Sequence, residues 1–220
     1  MTVFILYCMI ETARELRDFR LTKYRICSPK LNGIRETKKI VFLSDLHNRM
    51  YGKENERLLE SIKNQHPDLI LIGGDMLVRK DGNSYDRTVR FLEKLPAICP
   101  VYCANGNHEQ KLKELPDKYE QSYEGYKKAL TVCGIYMLEN ASETVRLDEA
   151  PVRISGLEIP LRAYARFGKK DLPLKEITDR IGEHGEEYQI LFAHHPGYIQ
   201  EYLEYGADLI LSGHYHGGVM

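Results

Sequence analysis

Five short apolar runs in this chain each stop at a polar group able to hold a metal ion, and no other feature narrows the possible folds as far. The runs are Lys39 to Ser44, Asp68 to Ile72, Ala97 to Cys103, Tyr188 to Ala193 and Ala207 to Ser212. Each is rich in aliphatic or β-branched residues and of strand length. They end in Asp45-Leu46-His47, Gly74-Asp75, Asn105-Gly106-Asn107-His108-Glu109, His194-His195-Pro196 and Gly213-His214-Tyr215-His216-Gly217-Gly218.

Helical patterns separate the early strands. Leu58, Leu59 and Ile62 share a helix face before Pro67, and Val89, Phe91, Leu92 and Leu95 form an apolar set before Pro96. Tyr119 to Val132 reads as a helix stopped by Gly134. The second half changes character. Ile135 to Leu138, Glu143 to Leu147 and Val152 to Gly156 are short β candidates, and Leu174 to Ile181 is a helix. Strands alternating with helices predict an α/β fold with strands buried on both faces, in one domain built from two sheets.

In open α/β sheets, ligands gather beyond the carboxyl ends of the strands. Five strand ends can therefore converge on one crevice, and the glycines beside them suit tight turns. Two Asp, one Asn and four His make a mixed oxygen and nitrogen shell. That shell suits zinc, manganese, iron or nickel rather than calcium. So many donors exceed one tetrahedral site. Two ions are expected, ~3.5–4 Å apart and joined by a bridging carboxylate. Taken singly, Asp45-Leu46-His47 and Gly73-Gly74-Asp75 are ordinary turns, and Asn105 to Glu109 is a turn leading into a helix. Their conjunction in one order is what argues for a site. Of the eight histidines, only His66 and His184 lie away from these motifs, and both read as surface residues.

Lys and Arg total 31 against 32 Asp and Glu, a net charge of −1, so no dedicated nucleic-acid binding is expected. Arg162, Arg166, Lys169 and Lys170 read as a solvated face in preference to an anion patch. Five cysteines without a clear export signal favour a reducing, cytoplasmic setting. Cys99 and Cys103 read as strand residues and not as a zinc pair. Val3 to Ile10 is far short of the ~20 apolar residues a spanning helix needs. Residues 1–37 are read as an N-terminal helix and a lead-in strand, the helix docked on the domain or in peripheral contact with a membrane.

In type and order the motifs resemble those of the calcineurin-like metallophosphoesterase superfamily, in its bacterial phosphohydrolase branch. The residues that carry the resemblance are Ser44-Asp45-Leu46-His47, Gly74-Asp75, Gly106-Asn107-His108-Glu109, His194 and Gly213-His214-Tyr215-His216-Gly217-Gly218, across about Lys38 to Gly218. The resemblance implies a four-layer α/β/β/α sandwich with a dinuclear metal site at the strand ends. It implies two divalent or trivalent transition-metal ions, of manganese, zinc, iron or nickel. Asp45, His47 and His216 would hold the first, Asp75 would bridge, and Asn107, His194 and His214 would hold the second. His195 is the competing candidate for the place given to His194. His108 would be catalytic, stabilising a phosphoryl oxygen or protonating the leaving alkoxide.

The function so implied is hydrolysis of small phosphorylated substrates by a metal-bound hydroxide. Monoesters, diesters, nucleotides and lipid headgroups all present the reacting group. Members of this branch usually continue past the Gly-His-x-His-Gly-Gly motif, whereas this chain stops at Met220. The domain at 38–220 is therefore expected to be incomplete at its C-terminal end. That raises an alternative, a non-catalytic or weakly active metal-binding scaffold. The full ligand set together with His108 favours the enzyme.

Overall fold

Residues 7, 18–78, 84–118, 122–164 and 171–216 are described by the computed structural model. Their strands form two four-stranded sheets. The first contains β1 (Ile40–Leu43), β2 (Leu69–Ile72), β3 (Val101–Cys103) and β4 (Ile135–Met137), in that spatial order. All its pairings are parallel, with Ile40 opposite Leu69, Ile70 opposite Val101 and Val101 opposite Ile135. Parallel neighbours need a crossover. The first three are made by the segments carrying α1 (Glu56–Gln65), α2 (Asp86–Leu92), and the pair α3 (Asn107–Glu114) and α4 (Tyr123–Val132).

The second sheet contains β5 (Ala141–Leu147), β6 (Ala150–Leu157), β7 (Tyr188–Ala193) and β8 (Leu209–Leu211). A tight turn at Asp148 and Glu149 makes β5 and β6 an antiparallel hairpin, with Leu147 opposite Ala150. The β6–β7 and β7–β8 pairs are parallel, crossed by α5 (Leu174–Ile181) and α6 (Ile199–Tyr205).

The period of two along each buried strand sorts side chains into separate apolar clusters. Ile70, Ile72, Val101 and Cys103 face the first set of helices and pack with Leu58, Ile62, Phe91, Leu92, Tyr126 and Leu130. Leu69, Leu71 and Tyr102 alternate with them and meet Val152, Ile154, Tyr188, Ile190 and Phe192 of the second sheet. Leu191 and Ala193 turn the other way, toward Ile177, Ile181, Tyr202 and Tyr205. Each fully buried Leu or Ile contributes ~1.5–3 kcal/mol relative to exposure. Together they hold the carboxyl ends of the strands in fixed relation.

Several boundaries differ from the expected ones. Ala97 to Pro100 stays outside β3, because Ile98 N–H closes a turn onto the Leu95 carbonyl at 2.9 Å. Cys99 is therefore not a strand residue, while Cys103 is. The helix expected from Tyr119 starts at Tyr123, where the Ser122 hydroxyl accepts the Gly125 N–H. Residues 119–121 lie outside the described residues, as do residues 1–6 and 8–17, where most of the expected N-terminal helix falls, and Arg166, Lys169 and Lys170 of the basic cluster. Before residue 38 the described residues hold one 3-10 turn, Pro29–Leu31, and no strand. No helix among the described residues is long and apolar enough to cross a membrane.

Candidate metal centre

The candidate ligands sit in loops that leave the strands abruptly. Asp45, His47, Asp75, His214 and His216 all have positive φ, between 49° and 70°. That conformation costs a non-glycine residue on the order of 1–3 kcal/mol and persists only where the surroundings impose it. Here backbone bonds between loops do so. Asp45 N–H donates to Gly74 O at 3.0 Å, His47 N–H to Asp75 O at 3.0 Å, and Asn48 N–H to Met76 O at 2.9 Å. The β2 and β3 turns touch at Gly74 and Gly106, where a Cβ on Gly106 would overlap the Asp75 carboxylate.

The carboxylates use part of their capacity to fix neighbouring loops. Asp75 Oδ1 accepts the His108 N–H at 2.8 Å, and Asp45 Oδ1 accepts the His214 N–H at 2.9 Å. Asp75 Oδ2 faces three rings, with His194 Nε2 at 3.1 Å, His47 Nε2 at 3.8 Å and His108 Nε2 at 4.0 Å. Asp45 Oδ1 lies 3.7 Å from both His47 Nε2 and His194 Nε2 and 3.8 Å from His216 Nε2. The His47 and His216 rings are stacked, 4.7 Å between centroids, with their Nε2 atoms 3.2 Å apart.

Three groups of donors have their ligand atoms within 4.8 Å of one another: Asp45, His47 and His216; Asp75, His194 and His214; and His47, Asp75 and His108. The first two share no residue. Asn107 opens α3 next to His108 and is buried. Its Oδ1 is buried and has no hydrogen-bond partner among the described residues, while the buried His194 Nε2 lies against Asp75 Oδ2 at 3.1 Å. Buried polar atoms are normally paired, so an orphaned amide oxygen, and a buried ring nitrogen turned to a carboxylate, fit a cation. The donor set fits a borderline transition metal by the same token. His194 Nδ1 lies 2.8 Å from the Gly73 carbonyl, which assigns the proton to Nδ1 and turns Nε2 toward the carboxylates.

A family model described as calcineurin-like phosphoesterase matches residues 38–218. The chain belongs to the calcineurin-like phosphoesterase family. With it, the chain is placed among the phosphoester hydrolases. YkoQ of Bacillus subtilis (strain 168), named as an uncharacterized metallophosphoesterase, is 26% identical over 213 residues, 96% of this chain and 72% of its own length. YkuE of the same organism, also named as an uncharacterized metallophosphoesterase, is 29% identical over 185 residues, 82% of this chain and 58% of its own length. The phosphodiesterase YaeI of Escherichia coli (strain K12) is 26% identical over 203 residues, 91% of this chain and 67% of its own length. This phosphoesterase thus spans between 58% and 72% of the lengths of these three relatives. The crystal structure of phosphopantetheinyl hydrolase from Mycobacterium tuberculosis shares its fold, with a TM-score of 0.53 at 17% identity over 81% of this chain and 83% of that one.

The electrostatics of the phosphoesterase site favour a cation between its carboxylates. Burial pushes the Asp45 carboxyl up, but the bond from His47 and the field of His194 outweigh it and hold the group at about 2. Burial acts likewise on Asp75, and His194 and His108 bring it below the ordinary carboxylate range. For His194 burial lowers the pKa, while Asp75 raises it to about 9. A proton there answers two carboxylates in the position a cation would take. His195 behaves oppositely: burial and the neighbouring His214 and His194 hold it down at about 4. Its Nδ1 accepts the Gly197 N–H at 2.9 Å, and its ring packs on His214 at 4.6 Å between centroids. His195 is in none of the three donor groups.

Glu109 is the functional-site residue that motif reading left without a role. It is 1% exposed. Its carboxylate accepts the N–H groups of Asp75, Met76 and Leu77 at 2.8, 2.8 and 3.2 Å, and that of Gly106 at 3.0 Å. Burial and the nearby Asp75 raise its carboxyl to about 7, against the pull of those N–H bonds. The signal available in the sequence was the spacing of a helix N-terminus, with Glu109 three residues after Gly106. Arg162, of the basic cluster, pairs with Glu176 at 2.7 Å.

Proposed function

We propose that this chain is a metal-dependent phosphoesterase with a dinuclear centre, acting on small phosphorylated substrates. The observation that carries the reading is the presence of two donor groups with no residue in common, Asp45–His47–His216 and Asp75–His194–His214, at the ends of strands from both sheets. Asn107 Oδ1 would complete the second group. Asp75, whose Oδ2 faces rings of both groups, would be the bridge. The succession of apolar clusters, helices on the first sheet, sheet on sheet, then helices on the second, supports a four-layer α/β/β/α sandwich around that centre.

Bound cations supply Lewis acidity and water activation at such a centre. The chain's own groups do the rest. Asp45 and Asp75 hold negative charge in a buried place and orient the His214 and His108 backbones. The neutral His195 ring backs His214 and fixes its plane. His108 stands beside Asp75 and edge-on to His47, with ring centroids 5.0 Å apart. From there its Nε2 can hold a proton for the leaving alkoxide or donate to a phosphoryl oxygen. The relative named as a phosphodiesterase makes diesters the first class to try. Hydrolysis of p-nitrophenyl phosphate, bis-p-nitrophenyl phosphate, nucleotides and lipid headgroup esters, each with and without chelator, tests the reading. Chelator-sensitive release from at least one class is expected. Absence of hydrolysis across all of them by metal-loaded, folded protein would contradict it.

A further inference from the structure

Glu158 is a carboxylate buried where the two sheets meet, and nothing in the proposed chemistry uses it. It is 4% exposed and follows directly on β6. In the β6–β7 register Leu157 lies opposite Ala193, so Glu158 and His194 are the next residues along two paired strands. Its Oε1 accepts from Asn105 Nδ2 at 2.7 Å and from Lys113 Nζ at 3.3 Å. Its Oε2 accepts from Lys113 Nζ at 2.9 Å and from Asn140 Nδ2 at 3.3 Å. Its N–H donates to Asn140 Oδ1 at 2.9 Å, and its carbonyl accepts from Arg180 Nη1 at 3.0 Å.

The other end of this network lies at the first sheet. Asn105 stands two residues before Asn107 and also directs its amide nitrogen to the Tyr123 hydroxyl at 2.5 Å. Lys113 sits on α3, the helix whose first turn carries Asn107 and His108, and it bonds Glu139 at 2.8 Å. A partly buried ion pair of this kind gains little stability over well-packed apolar side chains. What it fixes is geometry. Asn107 follows β3 of the first sheet and His194 follows β7 of the second, and the contact between Asn105 and Glu158 joins the segments that carry them.

We propose that Glu158 is a positioning residue for the second metal site, setting the separation of Asn107 and His194 through its bond to Asn105. The proposal rests on the dinuclear reading given above. It assigns Glu158 no part in the first group, where Asp45, His47 and His216 are held by the loops after β1 and β8.

Manganese titration of the full chain, followed by calorimetry and electron paramagnetic resonance, tests this on wild type, Glu158→Ala, Asn105→Ala and the double variant. Wild type should bind two Mn²⁺ and show a spin-coupled spectrum. Each variant should keep one Mn²⁺ at wild-type affinity and bind the second ~10- to 100-fold more weakly, the cost of losing a partner that orients metal ligands. The coupled spectrum should give way to an isolated one. The double variant should be no worse than the more affected single one, because both act through one contact. Unchanged affinity and coupling in Glu158→Ala, or equal weakening of both ions, would overturn the proposal. Should Glu158→Ala not fold, Asn105→Ala decides by the same criteria, since it leaves Lys113 and Asn140 on the carboxylate. Fewer than two Mn²⁺ on wild type would instead sink the dinuclear reading, and the proposal with it.

Discussion

The Asp75 N–H donates to Glu109 Oε2 at 2.8 Å, so the central carboxylate of the site is held from behind by a second, wholly buried one. Glu109 ties the turn after β2 to the turn after β3 through one side chain. Replacing it by Ala strands several buried N–H groups, each costing ~1–3 kcal/mol. Glu109→Ala should therefore lower the unfolding free energy by about 3 kcal/mol or more in urea titration. A loss below ~1 kcal/mol would show that water or a shifted loop replaces the carboxylate at little cost.

Asp75→Asn should remove more metal than any other single ligand substitution. Asn keeps the oxygen that receives the His108 N–H, but it loses the charge facing His194, His47 and His108. Elemental analysis after metal loading and dialysis reads this out. Wild-type metal content in Asp75→Asn would exclude the bridging role.

His108→Ala should lower turnover by a factor on the order of 10²–10⁴ while leaving metal content nearly intact, as expected for a proton donor. The grouping of His108 with His47 and Asp75 makes this a real test. Loss of metal in step with activity would make His108 a ligand.

Much of this arrangement was legible in the chain. β2 is a continuous apolar run, β7 is one interrupted only by Gln189, and both are buried along their whole length, so composition marked them. The candidate ligands were legible because each follows such a run. α3 was expected only as a helix start, because its eight residues include one apolar side chain, Leu112. Its place is fixed by Glu109 and Lys113, whose partners lie far away in sequence. α6 was missed because Pro196 and Gly197 open the segment and the Tyr side chains that bury it are weak helix signals. β5 begins two residues before its apolar pattern, since Ala141 and Ser142 pair with Gly156 and Ser155. The role of Glu158 had no signature, because Asn105 is 53 positions away.

Stability should depend on pH through Lys113 and Glu139. Burial pushes the Glu139 carboxyl up, but bonds from Lys113 and Lys127 bring it below its ordinary value. A lowered carboxylate stabilises above the unfolded value of ~4.3, and the gain is lost as pH falls through the folded value. Burial lowers the Lys113 pKa, and the bonds to Glu139 and Glu158 raise it overall. Its contribution is present below ~10.4 and lost as pH climbs through the raised value. The stability gap between wild type and Lys113→Met should therefore be widest near neutrality and narrow toward both extremes. Urea unfolding across pH measures it. A gap that is flat with pH would contradict this assignment.

On the proposed function, the donors at these strand ends hold a pair of metal ions that hydrolysis requires. Metal content per folded chain, measured beside the rate of bis-p-nitrophenyl phosphate hydrolysis before and after chelation and on adding Mn²⁺ back, tests it most directly. Close to two ions per chain, loss of hydrolysis with their removal, and recovery of both together are expected. Folded protein that takes up no metal, or hydrolysis that survives complete metal removal, would contradict it.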